Sequence, residues 1–169
     1  DGDDSGSDDL RRKIRVISRT DLFAKLDSRS QRLLAFSAQW YSAKKGKRIF
    51  SMGERPDAAY LCLSGNAMMG YRDDDDNWHD VTAVGPGRLI GDLAIILDEP
   101  RQLDLVAHED TKFLRIGAEE FRSVIETDPN VLMILLRTVA GHLTGAAELL
   151  REARVDIPQD TQEDARTDA

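Results

Sequence analysis

Cysteine is almost absent from this 169-residue sequence, proline is sparse, and no long apolar run occurs anywhere. The single Cys62 cannot close an internal disulfide. No Cys/His group has zinc-site spacing, so a reducing compartment is expected and no metal is. No stretch approaches the ~20 consecutive apolar residues of a membrane-spanning helix. The N-terminus lacks the basic and apolar segments of a secretory signal. Basic residues are also in deficit: 23 Lys and Arg against 31 Asp and Glu leave a net charge of −8. Nucleic-acid phosphates would be repelled by such a chain unless a local basic face made an exception. A cytoplasmic, non-nucleic-acid-binding protein is expected. The chain opens on Asp1 rather than Met, which points to a segment of a longer protein.

The negative charge is unevenly placed. Residues 1–9, DGDDSGSDD, hold five acids and no base, and residues 156–169 hold five acids and one Arg. Neither run has the apolar area to offset the entropy of ordering, so both are expected to be disordered acidic tails. Residues 10–155 are left at net +1 and form the expected domain.

Within that domain the periodicity changes twice. Leu22, Phe23 and Leu26 fall on one helical face, and Ser28 with Gln31 three residues on forms a capping box for a helix carrying Leu33, Leu34 and Phe36. From about Ala43 to Ile116 brief apolar runs alternate with Gly, Asp and Pro at roughly 8 to 12 residues, as in an all-β sandwich or roll. The expected strands are 48–51, 59–63, 66–71, 81–84, 103–107 and 112–116. Helical period returns with Phe121, Val124 and Ile125 behind Glu119 and Glu120, and Asp128-Pro129 caps a long last helix. There Leu132, Leu136, Val139, Leu143, Ala146 and Leu150 form an a/d seam. Such a seam packs against the roll or faces a partner helix, and both can hold for different halves.

The chemistry concentrates in residues 91–101, GDLAIILDEPR. A Gly turn leading into a short helix presents backbone N–H groups to an anion. An Arg ten residues after the Gly can add a bidentate cation, and a carboxylate beside the Gly can accept from sugar hydroxyls. The trio suits a small phosphorylated sugar.

These residues resemble the phosphate-binding cassette of the cyclic nucleotide-binding domain family, Gly-Glu-Leu-Ala, six residues, then Arg-Ala-Ala-Thr-Val. The spacing matches without a gap. Gly46, Ile49-Phe50, Gly53, Asp57, Tyr60 and Gly65 reproduce the family's framework, and the resemblance spans about residues 18–152. It implies an antiparallel β-roll with N-terminal helices and a long C-terminal helix that moves over the ligand. It further implies that Arg101 meets the cyclic phosphate, that Leu93 and Ala94 offer it backbone N–H groups, and that Gly91 permits close approach. Asp92, one methylene shorter than the family's Glu, stands where the ribose 2′-OH is accepted. Gln102 replaces a small residue facing phosphate and base, Leu103 replaces Ala, and Asp104 replaces Thr. With period-2 alternation, Gln102 and Asp104 are expected to share a face, and that face to be the pocket. Asp104 would then set a carboxylate against the phosphate, a repulsion of ~0.5–2 kcal/mol.

The remaining features read as structural. Asp73 to Asp76 lack the alternation, Gly and Glu of a calcium loop and are expected to be a solvated hairpin loop. The run LRRKIR, residues 10–15, reads as a solvated helix start, with contact to acidic lipid or a partner helix as the alternative. His79, His108 and His142 are assigned to surface or packing, Cys62 to a buried strand, and Trp40 and Tyr41 to the core. No catalytic motif stands out, so the expectation is a non-enzymatic regulatory domain. It would sense cAMP or cGMP, use no other cofactor, and signal through its last helix to a host, a membrane transporter for example. The alternative is a roll without nucleotide that interacts or dimerises through Leu132, Leu136, Val139, Leu143 and Leu150.

Overall fold

A computed structural model of the protein describes residues 3–155. The described residues begin in a helix, α1 (Asp3–Ser18), where a disordered tail is expected from the sequence up to Asp9. Position explains the difference: acids in the first turns of a helix are favoured by its dipole. Lys13 Nζ lies 2.9 Å from the Asp9 carboxylate four residues earlier, and Asp9 Oδ1 accepts the Trp40 indole N–H at 2.6 Å. Composition counts the acids without registering where on a helix they stand. Residues 156–169, the second expected tail, lie outside the described residues.

Two short helices follow, α2 (Asp21–Ala24) and α3 (Ser28–Ser37). The cap of α3 sits one residue earlier than expected. Asp27 accepts the Ser30 N–H at 2.7 Å, while Gln31 reaches back to the Phe23 carbonyl at 3.0 Å. Phe23 meets Phe121 of α5 (Ala118–Thr127) edge to face, with ring centroids 6.1 Å apart.

Eight strands make the roll: β1 (Gln39–Ala43), β2 (Arg48–Phe50), β3 (Ala58–Ser64), β4 (Ala67–Arg72), β5 (Trp78–Val84), β6 (Leu89–Ile90), β7 (Asp104–Ala107) and β8 (Thr111–Gly117). They form two four-stranded sheets, in the orders β1-β8-β3-β6 and β2-β7-β4-β5, and every recorded pairing is antiparallel. Between them Phe50, Tyr60, Cys62, Val84, Leu105 and Phe113 pack as one core. The expected strands are present with shifted ends, and β1 and β6 are additional. β1 escapes pattern reading because four of its five residues are exposed or half-buried, and β6 because it has two residues. Trp40, expected in the core, is on the exposed side of β1, whereas Tyr41 packs against the core.

The chain divides into two units between Leu132 and Met133. The first holds all strands, α1, α2, α3, α4 (Asp92–Leu97) and α5, together with the first turn of α6 (Pro129–Val155), where Asp128 Oδ1 accepts the Asn130 N–H at 3.0 Å. The second is the continuation of α6. Leu132, Leu136, Leu143 and Leu150 are 50–70% exposed. The side chains of Val139, His142 and Ala146 lie outside the described residues.

Candidate ligand site

The site begins where β6 ends. Gly91 takes φ 82°, ψ 1°, a left-handed conformation that costs glycine little and other residues ~1–2 kcal/mol. It also sits against Arg101, since a Cβ at position 91 would lie 2.5 Å from Arg101 Nη1. From this turn α4 runs for six residues and inserts Ile95 into the core. Asp98, itself left-handed at φ 52°, ends the helix and accepts a hydrogen bond from Arg122 Nη2 of α5 at 2.9 Å. Arg122 Nε also donates to the Ile95 carbonyl at 3.4 Å. The cassette is thereby tied to α5 from its far end.

Arg101 is 3% exposed. Its backbone is clamped to the loop after β2, with Arg101 N–H donating to Glu54 O at 2.8 Å and Gly53 N–H donating to Arg101 O at 2.7 Å. Its guanidinium lies 4.2 Å over the Phe50 ring and donates to the Gly91 carbonyl at 2.9 Å and to the Ala58 carbonyl. The nearest anion is Asp57, 3.6 Å from Nη2, which Arg115 shares at 3.1 Å. Arg101 Nε has no partner, the one buried side-chain polar atom in that state among the described residues. Burial pulls the guanidinium's proton affinity below its ordinary value, opposed by Asp57. A buried cation that faces two neutral carbonyls and a carboxylate shared with Arg115, with Glu54 attracting it more weakly, is under-compensated, which favours an incoming anion. Burial likewise pushes the Tyr60 phenol up, with Arg115 opposing.

Of the expected site residues, the structure brings Gly91 and Arg101 into direct contact and places Asp92 and Ala94, both half-buried, in the adjoining turns of α4. Leu93 is exposed, and so is Gln102. The expectation that Gln102 and Asp104 share a face is corrected. β7 begins only at Asp104, so strand alternation does not reach back to 102, and Asp104 is buried where Gln102 is in solvent. The expected repulsion is corrected with it. Asp104 Oδ1 accepts the Met52 N–H at 2.6 Å and Oδ2 lies 3.6 Å from Arg48 Nε, so this carboxylate is occupied in fastening the turn after β2. Sequence reasoning registered Asp57 and Phe50 only as framework. That one flanks Arg101 and the other carries it depends on which strands face each other.

Residues 41–128 match the cyclic nucleotide-binding domain family. The chain belongs to that family. This cyclic nucleotide-binding domain is 25% identical over 128 residues, 76% of its length, to a CRP-like cAMP-activated global transcriptional regulator of Mycobacterium tuberculosis strain H37Rv, covering 57% of that protein. Its fold is that of the regulatory domain of Toxoplasma gondii PKA, solved with cAMP, at a TM-score of 0.72 and 19% identity over 82% of this chain and 52% of that one. The regulatory subunit of a cAMP-independent protein kinase A from Trypanosoma brucei superposes with a TM-score of 0.69 at 23% identity, over 79% of this chain and 48% of that one. The domain thus spans about half the length of each.

Proposed function

We propose that this domain binds a cyclic nucleotide, cAMP or cGMP, and regulates a larger host protein. In this reading Arg101 and the backbone N–H groups of Leu93 and Ala94 hold the cyclic phosphate, Gly91 admits it, Asp92 accepts the ribose 2′-OH, and Gln102 faces the nucleotide. The observation that carries the reading is the buried Arg101 with its unpartnered Nε. A charge-assisted hydrogen bond contributes ~1.5–3 kcal/mol, and more where water is excluded. Output runs through α6 to the host, a cytoplasmic protein or the cytoplasmic part of a membrane transporter. The nucleotide can bias α6 only by its differential affinity for two states of the domain. Titration calorimetry with cAMP and cGMP on the wild type and on Arg101→Ala is the test. Saturable heat in the wild type that Arg101→Ala abolishes is expected; no heat at millimolar nucleotide would reject the reading.

A second reading is favoured by the exposure of Leu132, Leu136, Leu143 and Leu150. Here the roll is an interaction module, and α6 pairs with a second copy or with the host through this stripe and Val139. Light scattering with and without nucleotide separates the readings: a dimer indifferent to ligand supports the second, and a strict monomer counts against it.

A further inference from the structure

The outer side of α3 reverses the charge of the chain as a whole. Residues 10–40 carry eight Lys and Arg against two Asp, although in α1 the four acids before them balance Arg11, Arg12, Lys13 and Arg15, with Asp8 paired to Arg11 and Asp9 to Lys13. On α3, Arg29, Arg32, Leu33 and Phe36 stand at i, i+3, i+4 and i+7 and therefore share one side. All four are exposed, opposite the buried Ser30, Leu34 and Ala35. Phe36 is 82% and Leu33 43% exposed. The ten residues of α3 contain no acid, and its cap Asp27 attracts only Arg29 of the two arginines. The neighbouring α1 turns Arg11, Arg12 and Arg15 outward while burying Ile17. Trp40 of β1 packs on α1: its ring lies 5.3 Å from the Arg12 guanidinium carbon and 5.9 Å from Lys13 Nζ, and its indole N–H donates to Asp9.

A phenylalanine in water forgoes the ~1.5–3 kcal/mol that burial of such a side chain yields. The α3 face therefore asks for a partner that is apolar at its centre and anionic around it. A nucleic acid offers phosphates and a base for Phe36 to stack on, but no apolar layer for the aliphatic Leu33. The boundary between anionic headgroups and acyl chains offers both together. We propose that this face docks the domain on an anionic bilayer surface, with Phe36 and Leu33 entering the acyl boundary and Arg29 and Arg32 among the headgroup phosphates.

The test is co-sedimentation of the 169-residue chain with vesicles of phosphatidylcholine alone and of phosphatidylcholine mixed with phosphatidylserine. Binding to the mixed vesicles only, weakening with added salt, is expected. Arg29→Gln with Arg32→Gln should lower the affinity about 25-fold, from about fivefold for each surface charge, and Phe36→Ser at least about tenfold. Both variants change exposed side chains, so unchanged thermal unfolding verifies that they fold. Equal binding to both vesicle types, or variants that bind like the wild type, overturns the proposal. So does binding of single-stranded RNA, or a dimer abolished by Phe36→Ser, in the absence of vesicle binding.

Discussion

Gly91 and Asp104 are two small residues whose replacement separates the site from its scaffold. Alanine at 91 must adopt a left-handed φ at ~1–2 kcal/mol and also displace the Arg101 guanidinium. Gly91→Ala is expected to lower stability by about that much, read as a shift in the urea midpoint at constant m, and to weaken nucleotide binding in calorimetry. Asp104 acts elsewhere. Removing its carboxylate leaves the Met52 N–H without its acceptor and Arg48 without its partner. Asp104→Ala should therefore cost ~1–3 kcal/mol of unfolding free energy. A variant whose main effect is tighter nucleotide binding with undiminished stability would contradict this assignment.

The hairpin of β4 and β5 shows how one side chain organises an element. Asp73 accepts the backbone N–H groups of Asp75 and Asn77 at 3.0 and 2.9 Å and approaches His79 Nε2 at 2.6 Å, while Tyr71 stacks on His79 at 5.0 Å. The His79 contact first, and the Asn77 N–H second, hold the Asp73 carboxyl down from 3.8 to about 2. The ionised form is thus favoured in the folded state. The stabilisation is fully present above about pH 4 and is lost as the pH falls through about 2. Protection against amide exchange in β4 and β5, taken relative to the intrinsic rate at each pH, should fall over that window in the wild type, and Asp73→Asn should be less protected with no such step. Equal pH dependence in both proteins would show that Asp73 does not anchor the turn. At this scale the sequence was only half legible. The four-Asp run reads as a solvated loop, which its exposure agrees with, but nothing in the run singles out Asp73 as the acceptor on which the turn closes.

For the whole molecule, ligand and fold are linked. A nucleotide bound by the folded domain alone stabilises it by ~2.7 kcal/mol at a hundred times its dissociation constant. In a domain of this size that corresponds to a rise in melting temperature of roughly 5–10 °C. Differential scanning calorimetry with cAMP or cGMP should show this rise in the wild type and none in Arg101→Ala; a wild-type melting temperature indifferent to both nucleotides would count against the proposed function. Charge is arranged on the same scale. The net −8 describes the average, while the outer side of α3 is basic and the interior of the roll holds an under-compensated cation at Arg101.

The sequence by itself determined the family, the roll between helical ends, and the cassette from Gly91 to Arg101. These depend on spacing and period, which are local properties of a chain. The tertiary structure decided what each charge does. It set Arg101 on Phe50 between two carbonyls and Asp57, gave Asp104 to the turn after β2 instead of to the ligand, made a helix of the acids from Asp3 to Asp9, and left Phe36 in water. Electrostatic and hydrophobic energies depend on distance and burial. Both are fixed only when residues remote in sequence, 43 positions apart for Arg101 and Ala58, are brought together.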